Sequence, residues 1–302
     1  MTTGRHDRRF LCMSFLIAVS MALGAVLLWQ SQDPPSFREE FDGGRAYSHV
    51  MTQLSFGPRI PGTEGNRKAG DYIAEQLKLA GWSVEFQEFK YMNMSIRNLI
   101  ARANLGRGPI IVLGAHYDTR RWADQDTTFP RDPVPGANDG ASGVAVLLEL
   151  ARVLDLGRIR HEIWLAFFDA EDNGGIDGWD WIVGSTHMAG SLSTLPRAMI
   201  LVDMVGDADQ QIYLEANSDE ALSQKIWATA AQLGYGNYFR PEVRWHLVDD
   251  HIPFARLGVP AVDIIDFDYE YWHTTADTAD KISPESLERV GRTLLTYLET
   301  LE

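Results

Sequence analysis

A single cysteine, Cys12, is all the thiol chemistry in the 302 residues, which excludes an intrachain disulfide and any zinc cage built on cysteines. Cations are also scarce. Lys and Arg number 27 against 42 Asp and Glu, and the net charge of −15 excludes nucleic acid as a partner, because phosphate-backbone binders carry the opposite balance. Beyond the first 44 residues there is no long low-complexity stretch and no internal repeat, so neither a disordered tail nor a solenoid is expected. What remains is 45% hydrophobic and 23% charged, the composition of a chain that folds around a core. The acid surplus is either a solvated surface or a set of carboxylates gathered around metal, and only their positions decide which.

One long apolar run stands out. Phe10 to Trp29 carries no charge, and at about 1.5 Å per residue it matches the roughly 30 Å hydrocarbon layer of a bilayer. Arg5, Arg8 and Arg9 precede it, so the positive-inside bias predicts a cytoplasmic N-terminus over residues 1–9, a transmembrane signal anchor over 10–29 and an extracytoplasmic remainder. The expected location is a single-pass membrane protein, with the membrane as a partner. Ala22-Leu23-Gly24 weakly resembles a cleavage site, which gives the alternative of secretion after signal removal, but the apolar run continues beyond it. Residues 30–44, with Pro34 and Pro35, read as a linker, and 45–302 as one domain.

Within that domain, Ala69, Ile73, Leu77 and Ala80 fall at helical spacing before Gly81, and Trp82, Val84 and Phe86 then alternate as in a strand. Pro109 to Gly114, His161 to Phe168, Arg197 to Val202 and Pro260 to Ile265 are short apolar runs, the signature of strands buried on both faces. Helical periodicity over Gly140 to Leu156, Asp219 to Leu233 and Pro284 to Leu301 separates or follows them. The alternation predicts an α/β fold, a central sheet sandwiched by helices. Sites in such sheets gather at the carboxyl ends of the strands.

The residues at those ends are chemically coherent. The first run leads into His116-Tyr117-Asp118, and Asn138-Asp139 precedes a helix. The second run leads into Asp169-Ala170-Glu171-Asp172, the third into Asp203, and His273 follows the last. Imidazoles with several carboxylates are what a zinc site with nitrogen and oxygen ligands requires, although the same donors accept manganese or cobalt. Each residue has a plain alternative on its own, with His116 as a strand-end histidine, Asp139 as a helix cap and Asp203 as a turn former. Agreement across five strand ends points to metal.

These segments resemble the co-catalytic zinc exopeptidases, the group that includes bacterial leucyl-type aminopeptidases and the glutaminyl cyclases (glutaminyl-peptide cyclotransferases). Gly57 to Gly62, Gly114 to Thr119, Gly136 to Gly143, Phe167 to Asp172, Val202 to Gly206 and Trp272 to Thr274 occur in the family's order. The resemblance implies a three-layer sandwich with a mostly parallel, mixed central sheet. It implies zinc on Asp139, Asp172 and His273, with Glu171 as acid/base and Asp118 orienting His116. His116 and Asp203 fall at the positions of a second metal. One departure is Glu171-Asp172, where the family usually has two consecutive Glu.

Two reactions are then open, both on peptide or protein N-termini. A zinc aminopeptidase uses water, commonly activated by two ions, with Glu171 as base. A cyclotransferase uses one zinc and the peptide's own amine, forming pyroglutamate from an N-terminal glutamine and releasing ammonia. Asp249 to Phe254 followed by Gly258-Val259-Pro260 resembles the cyclase version of a loop that in aminopeptidases more often begins with Ser, and Trp272 resembles the indole that walls the cyclase pocket. If Asp249 lies near Glu171 and Asp203, like-charge crowding favours a shared proton over a second cation. The plain alternatives are core packing for Trp272 and a helix N-cap for Asp249. Animal cyclases have a histidine where this chain has Asp263. The resemblance therefore favours the cyclotransferase with one zinc, catalytic Glu171, Asp203 and Asp249, and Trp272 in the substrate pocket. The aminopeptidase is the alternative; a binding-only role fits poorly because no candidate ligand is missing.

Overall fold

The computed structural model describes residues 40–301. The expected cytoplasmic N-terminus over 1–9, the anchor over 10–29 and most of the 30–44 linker lie outside them. Among the described residues no helix is long and apolar enough to cross a membrane. The expectations of a signal anchor, a single-pass membrane location and the membrane as a partner are corrected on that finding and are not carried further.

The compact unit starts at Phe41, inside the stretch read as linker. Phe41 is buried, and Asp42 caps helix α1 (Gly43–Ser55) by accepting from the Gly44 and Arg45 amides. Helix α2 (Glu64–Leu79) follows and stops before Gly81, whose φ of +85° suits glycine. Strands β1 (Ser83–Tyr91) and β2 (Met94–Ala103) form a hairpin whose two-residue turn, Met92-Asn93, has positive φ at both positions. Then come β3 (Ile110–His116), α3 (Ala141–Val153), β4 (Glu162–Phe168), α4 (Val183–Gly190) and β5 (Ala198–Asp203). The chain continues through β6 (Ile212–Glu215), α5 (Glu220–Gln232), β7 (Phe239–Trp245), α6 (Ile252–Arg256), β8 (Ala261–Ile265) and α7 (Pro284–Thr300).

The main sheet runs β1-β2-β4-β3-β5-β8, and β6 pairs with β7 separately. β4, β3, β5 and β8 are mutually parallel, whereas β2 is antiparallel to both its neighbours. The flanking helices are those the alternation predicts, and the mixed, mostly parallel sheet is the one the family resemblance implies. Alternation explains the layers. Ile111, Leu113, Ile163, Leu165, Phe167, Ile200, Val202, Val262 and Ile264 join one core with residues of α1, α2, α3, α5 and α7. Val112, Ala166, Phe168, Met199, Leu201 and Ala261 point the other way into a second core with Met188 and Ala189 of α4 and Phe254 of α6.

This arrangement puts four strand ends on one rim. His116 lies in register with Phe168, and Asp203 with Ile265. α3 reaches the same rim because it seats directly on β5, where a Cβ built at Gly143 would lie 2.1 Å from the Val202 carbonyl oxygen. That neighbour is backbone and cannot swing aside. Gly143→Ala is therefore expected to lower stability by about 1–3 kcal/mol through overpacking, read as a lower urea midpoint at unchanged slope. A midpoint equal to the parent's would mean that α3 is free to move off the sheet.

Candidate metal centre

The turns at the rim are unusual in their backbone. Ala170, Met204 and His273 have φ values of +61°, +43° and +55°, the left-handed region that costs a non-glycine residue roughly 1–3 kcal/mol. One is a candidate ligand and the other two adjoin Glu171 and Asp203. Gly140, at φ +93°, takes the same turn after Asp139, and a Cβ there would meet the Asp118 carbonyl at 2.6 Å. Asp139 makes no side-chain cap to α3, so the plain helix-cap reading of this residue is set aside.

Two groups of side chains could each hold a divalent ion, His116 with Asp139 and Asp203, and Asp139 with Asp172 and His273; within each, one donor atom per residue lies within 4.8 Å of the others. Asp139 belongs to both. His116 Nε2 is 3.1 Å from Asp139 Oδ1 and 3.1 Å from Asp203 Oδ1. His273 Nε2 is 2.9 Å from Asp172 Oδ1 and 3.7 Å from Asp139 Oδ2. All five residues are buried.

The donor chemistry fits zinc. Asp139 Oδ2 and Asp172 Oδ2 are buried with no hydrogen-bond partner, an expensive arrangement that a cation would relieve. Burial, then the neighbouring Asp139 charge, pushes the Asp172 carboxyl up to about 6 against the pull of His273. The clusters are consistent with one or two zinc ions.

Asp118 does something the sequence did not suggest. Its Oδ1 lies 3.5 Å from His116 Nδ1, yet that nitrogen makes no hydrogen bond. The carboxylate instead accepts from the Glu171 amide at 3.0 Å, the Asp172 amide at 3.3 Å and Asn173 Nδ2 at 3.3 Å. It fixes the turn that carries two site residues. Asp277 does the same on the other side, accepting from the Asn138 and Asp139 amides at 2.8 and 3.1 Å and from the Tyr269 hydroxyl. Neither Asp277 nor Asp124, whose Oδ1 lies 3.3 Å from His273 Nδ1, carries a sequence signal beyond being an acid near a histidine.

Behind Glu171 lies a knot of buried acids. Burial holds the Glu171 carboxyl well above the usual range; Asp249 and Asp172 add to this and His116 opposes it. Burial, then Asp203 and Asp250, does the same to Asp249, and burial followed by Asp249 and Asp203 raises Asp263. Asp249 Oδ1 accepts from the Asp250 amide at 2.6 Å, and α6 begins after His251 with no side-chain cap. The N-cap alternative for Asp249 therefore falls away. His251 is buried and bonds Glu215 at 3.1 Å, His49 bonds Tyr72 and His187 stacks on Phe89, so each of the three is engaged outside the two clusters.

A pocket of about 160 Å³ joins Glu171, Asp203, Asp249 and the candidate ligands Asp139, Asp172 and His273 to an apolar wall that includes Trp181, Phe267 and Trp272. Trp272 both packs and faces the pocket, edge-on to Phe267 at 5.0 Å and stacked on His273 at 3.7 Å. In the Gly174–Trp181 loop, Trp181 stands at the rim while Trp179 is buried against Tyr91. A larger cavity of about 740 Å³ beside α5 and β7 contains none of these groups.

Comparison with known proteins agrees with this geometry. Residues 98–298 match the sequence pattern described as Peptidase family M28. A leucine aminopeptidase precursor of Bacteroides thetaiotaomicron is 33% identical, with 88% of this chain and 99% of that one covered at a TM-score of 0.83. The glutaminyl cyclase of Porphyromonas gingivalis is 36% identical over 86% of this chain and 99% of that one, at a TM-score of 0.80. The glutaminyl-peptide cyclotransferase-like protein of Mus musculus is 28% identical over 80% of this chain and 71% of that protein. Fold, rim chemistry and sequence agree, and the chain belongs to peptidase family M28, of the co-catalytic zinc exopeptidase superfamily, with homology to both aminopeptidases and glutaminyl cyclases.

Proposed function

We propose that this protein converts N-terminal glutaminyl residues of peptides into pyroglutamyl residues with release of ammonia, with one zinc held by Asp139, Asp172 and His273. The observation that carries the reading is the acid knot of Asp203, Asp249 and Asp263 against Glu171, at the end of a small tryptophan-walled pocket. Burial holds the Asp249 and Asp263 carboxyls well above the usual range, and protonated acids beside Asp203 compete poorly for a second cation. Cyclases among the solved structures and cyclotransferases among the curated relatives also support it.

Asp139, Asp172 and His273 would hold the zinc, which would supply Lewis-acid polarisation of the glutamine side-chain carbonyl. The chain's own residues do the rest. The substrate amine attacks the side-chain carbon, a new N–C bond closes the lactam and the C–N bond to the departing nitrogen breaks. Glu171 takes the amine proton and returns it to that nitrogen, so ammonia leaves neutral. Its raised proton affinity suits a group that must hold a proton transiently near neutral pH. Asp249 sustains that affinity with Asp203 beside it, and Trp272 walls the side chain.

A two-metal aminopeptidase is the second reading. Two triads sharing Asp139, and the likeness to a leucine aminopeptidase precursor, favour it, and on metal geometry alone it stands ahead. There His116 and Asp203 would hold the second ion, and Glu171 would serve as base for water.

The two readings part in one assay. Gln-led peptides and Leu-led arylamides are offered while zinc per chain is measured. Ammonia release with one zinc is expected, and amino-acid release with two would replace the first reading with the second. Glu171→Gln is expected to lose about 10²–10⁴-fold in turnover at unchanged zinc content, and full activity would discard its proton-transfer role. Asp139→Ala is expected to lose zinc and turnover together; a variant with the parent's zinc content would remove Asp139 from the ligands.

A further inference from the structure

His273 and Asp172 sit on separate loops, and His273 adopts a strained φ of +55°. Something must hold the two together. Asp124 Oδ1 lies 3.3 Å from His273 Nδ1, on the opposite side of the ring from Nε2. Gln125, the next residue, donates its amide to the His273 carbonyl at 3.2 Å. Arg120 grips the same Asp124 with two prongs, Nε to Oδ1 at 2.8 Å and Nη2 to Oδ2 at 2.6 Å. Its remaining nitrogen, Nη1, donates to the Asp172 carbonyl at 2.7 Å. Only 3% of Arg120 is exposed, and its guanidinium lies 4.8 Å from the Trp181 ring centre. A buried, bidentate guanidinium is a rigid fork in a way that an ammonium is not.

We propose that Arg120 and Asp124 are positioning residues for the metal centre. Asp124 accepts the His273 Nδ1 proton, which leaves the Nε2 lone pair facing Asp139 and Asp172, and Arg120 ties that histidine to the Asp172 loop. Neither touches the reacting atoms. The inference rests on the reading of Asp139, Asp172 and His273 as zinc ligands. It adds the parts that set the orientation of the imidazole, and outer partners of this kind are generally worth 10–100-fold in metal affinity.

The test is zinc affinity by chelator competition, beside the thermal midpoint of the metal-free protein and the absorption spectrum of the cobalt-substituted form. Asp124→Ala is expected to weaken zinc about 10–100-fold and to alter the cobalt spectrum, with the metal-free midpoint little changed. Asp124→Asn keeps an oxygen that can accept from Nδ1 and is expected to recover part of the loss. Arg120→Lys keeps the charge without the fork and should fall between the parent and Asp124→Ala. Parent-like zinc affinity in Asp124→Ala, with or without a lower midpoint, would overturn the inference. If that variant does not fold, parent-like affinity and spectrum in both Asp124→Asn and Arg120→Lys would overturn it equally. A parent protein that binds no zinc would instead overturn the ligand reading itself.

Discussion

Carboxylates buried against one another at the rim of the sheet are the constraint on which the rest of this structure depends. Glu171, Asp172, Asp139, Asp203, Asp249 and Asp263 are all buried, and like charges in a low-dielectric interior do not coexist without protons or counterions. His116 and His273 offset part of the excess, and Arg120, 3.7 Å from Asp172 Oδ1, offsets some more. The orphaned oxygens of Asp139 and Asp172 mark where that compensation stops. A divalent cation at the Asp139–Asp172–His273 triad would remove the repulsion there, and protons on Asp249 and Asp263, whose carboxyls burial holds well above the usual range, would remove it behind Glu171.

The scaffold explains why such an arrangement survives. The rim is assembled from the ends of parallel strands whose interior is fixed by two apolar cores, so the turns are over-determined by what lies beneath them. Strained φ values at Ala170, Met204 and His273 are affordable only there. Asp118 and Asp277 then spend their carboxylates on backbone amides of the ligand turns. These acids order the site without entering it.

Much of this is legible in sequence, for reasons that also mark where legibility ends. The central strands announce themselves because burial on both faces demands continuous apolar runs, and their polar successors fall at the carboxyl ends by topology alone. His116, Asp139, Glu171, Asp172, Asp203 and His273 stand out in the sequence for that reason, and the fold brings them to one rim. β2 is hidden because Arg97 and Asn98 interrupt its apolar pattern, and the Met92-Asn93 turn lacks the glycine that usually signals a tight hairpin. β6 and β7 pair only with each other in their own sheet, and β7 is mostly exposed, so no hydrophobic period marks it. α1 was lost to the two prolines before it, which suggested a linker reaching Gly44 when the fold already begins at Phe41. Asp124 and Arg120 are illegible for a different reason. Their roles depend on distances across three loops, and no spacing in the chain encodes those.

The choice between one metal and two turns on which demand Asp203 obeys. It lies 3.1 Å from His116 Nε2 and accepts the Met204 amide through the same oxygen, so its first oxygen is already engaged from two sides. Asp249 borders it on the other flank, and Asp263, in register beside Leu201, adds a further acid below. A cation entering either triad must replace a histidine–carboxylate contact, His116 Nε2 to Asp203 Oδ1 at 3.1 Å in one and His273 Nε2 to Asp172 Oδ1 at 2.9 Å in the other, but only the first lies beside Asp249, which resists ionisation. At the Asp139–Asp172–His273 triad it meets two unpartnered oxygens and an imidazole oriented from behind. The two triads share Asp139, and what distinguishes them is the unpartnered oxygen of Asp172 on one side and the neighbouring acids Asp249 and Asp263 on the other.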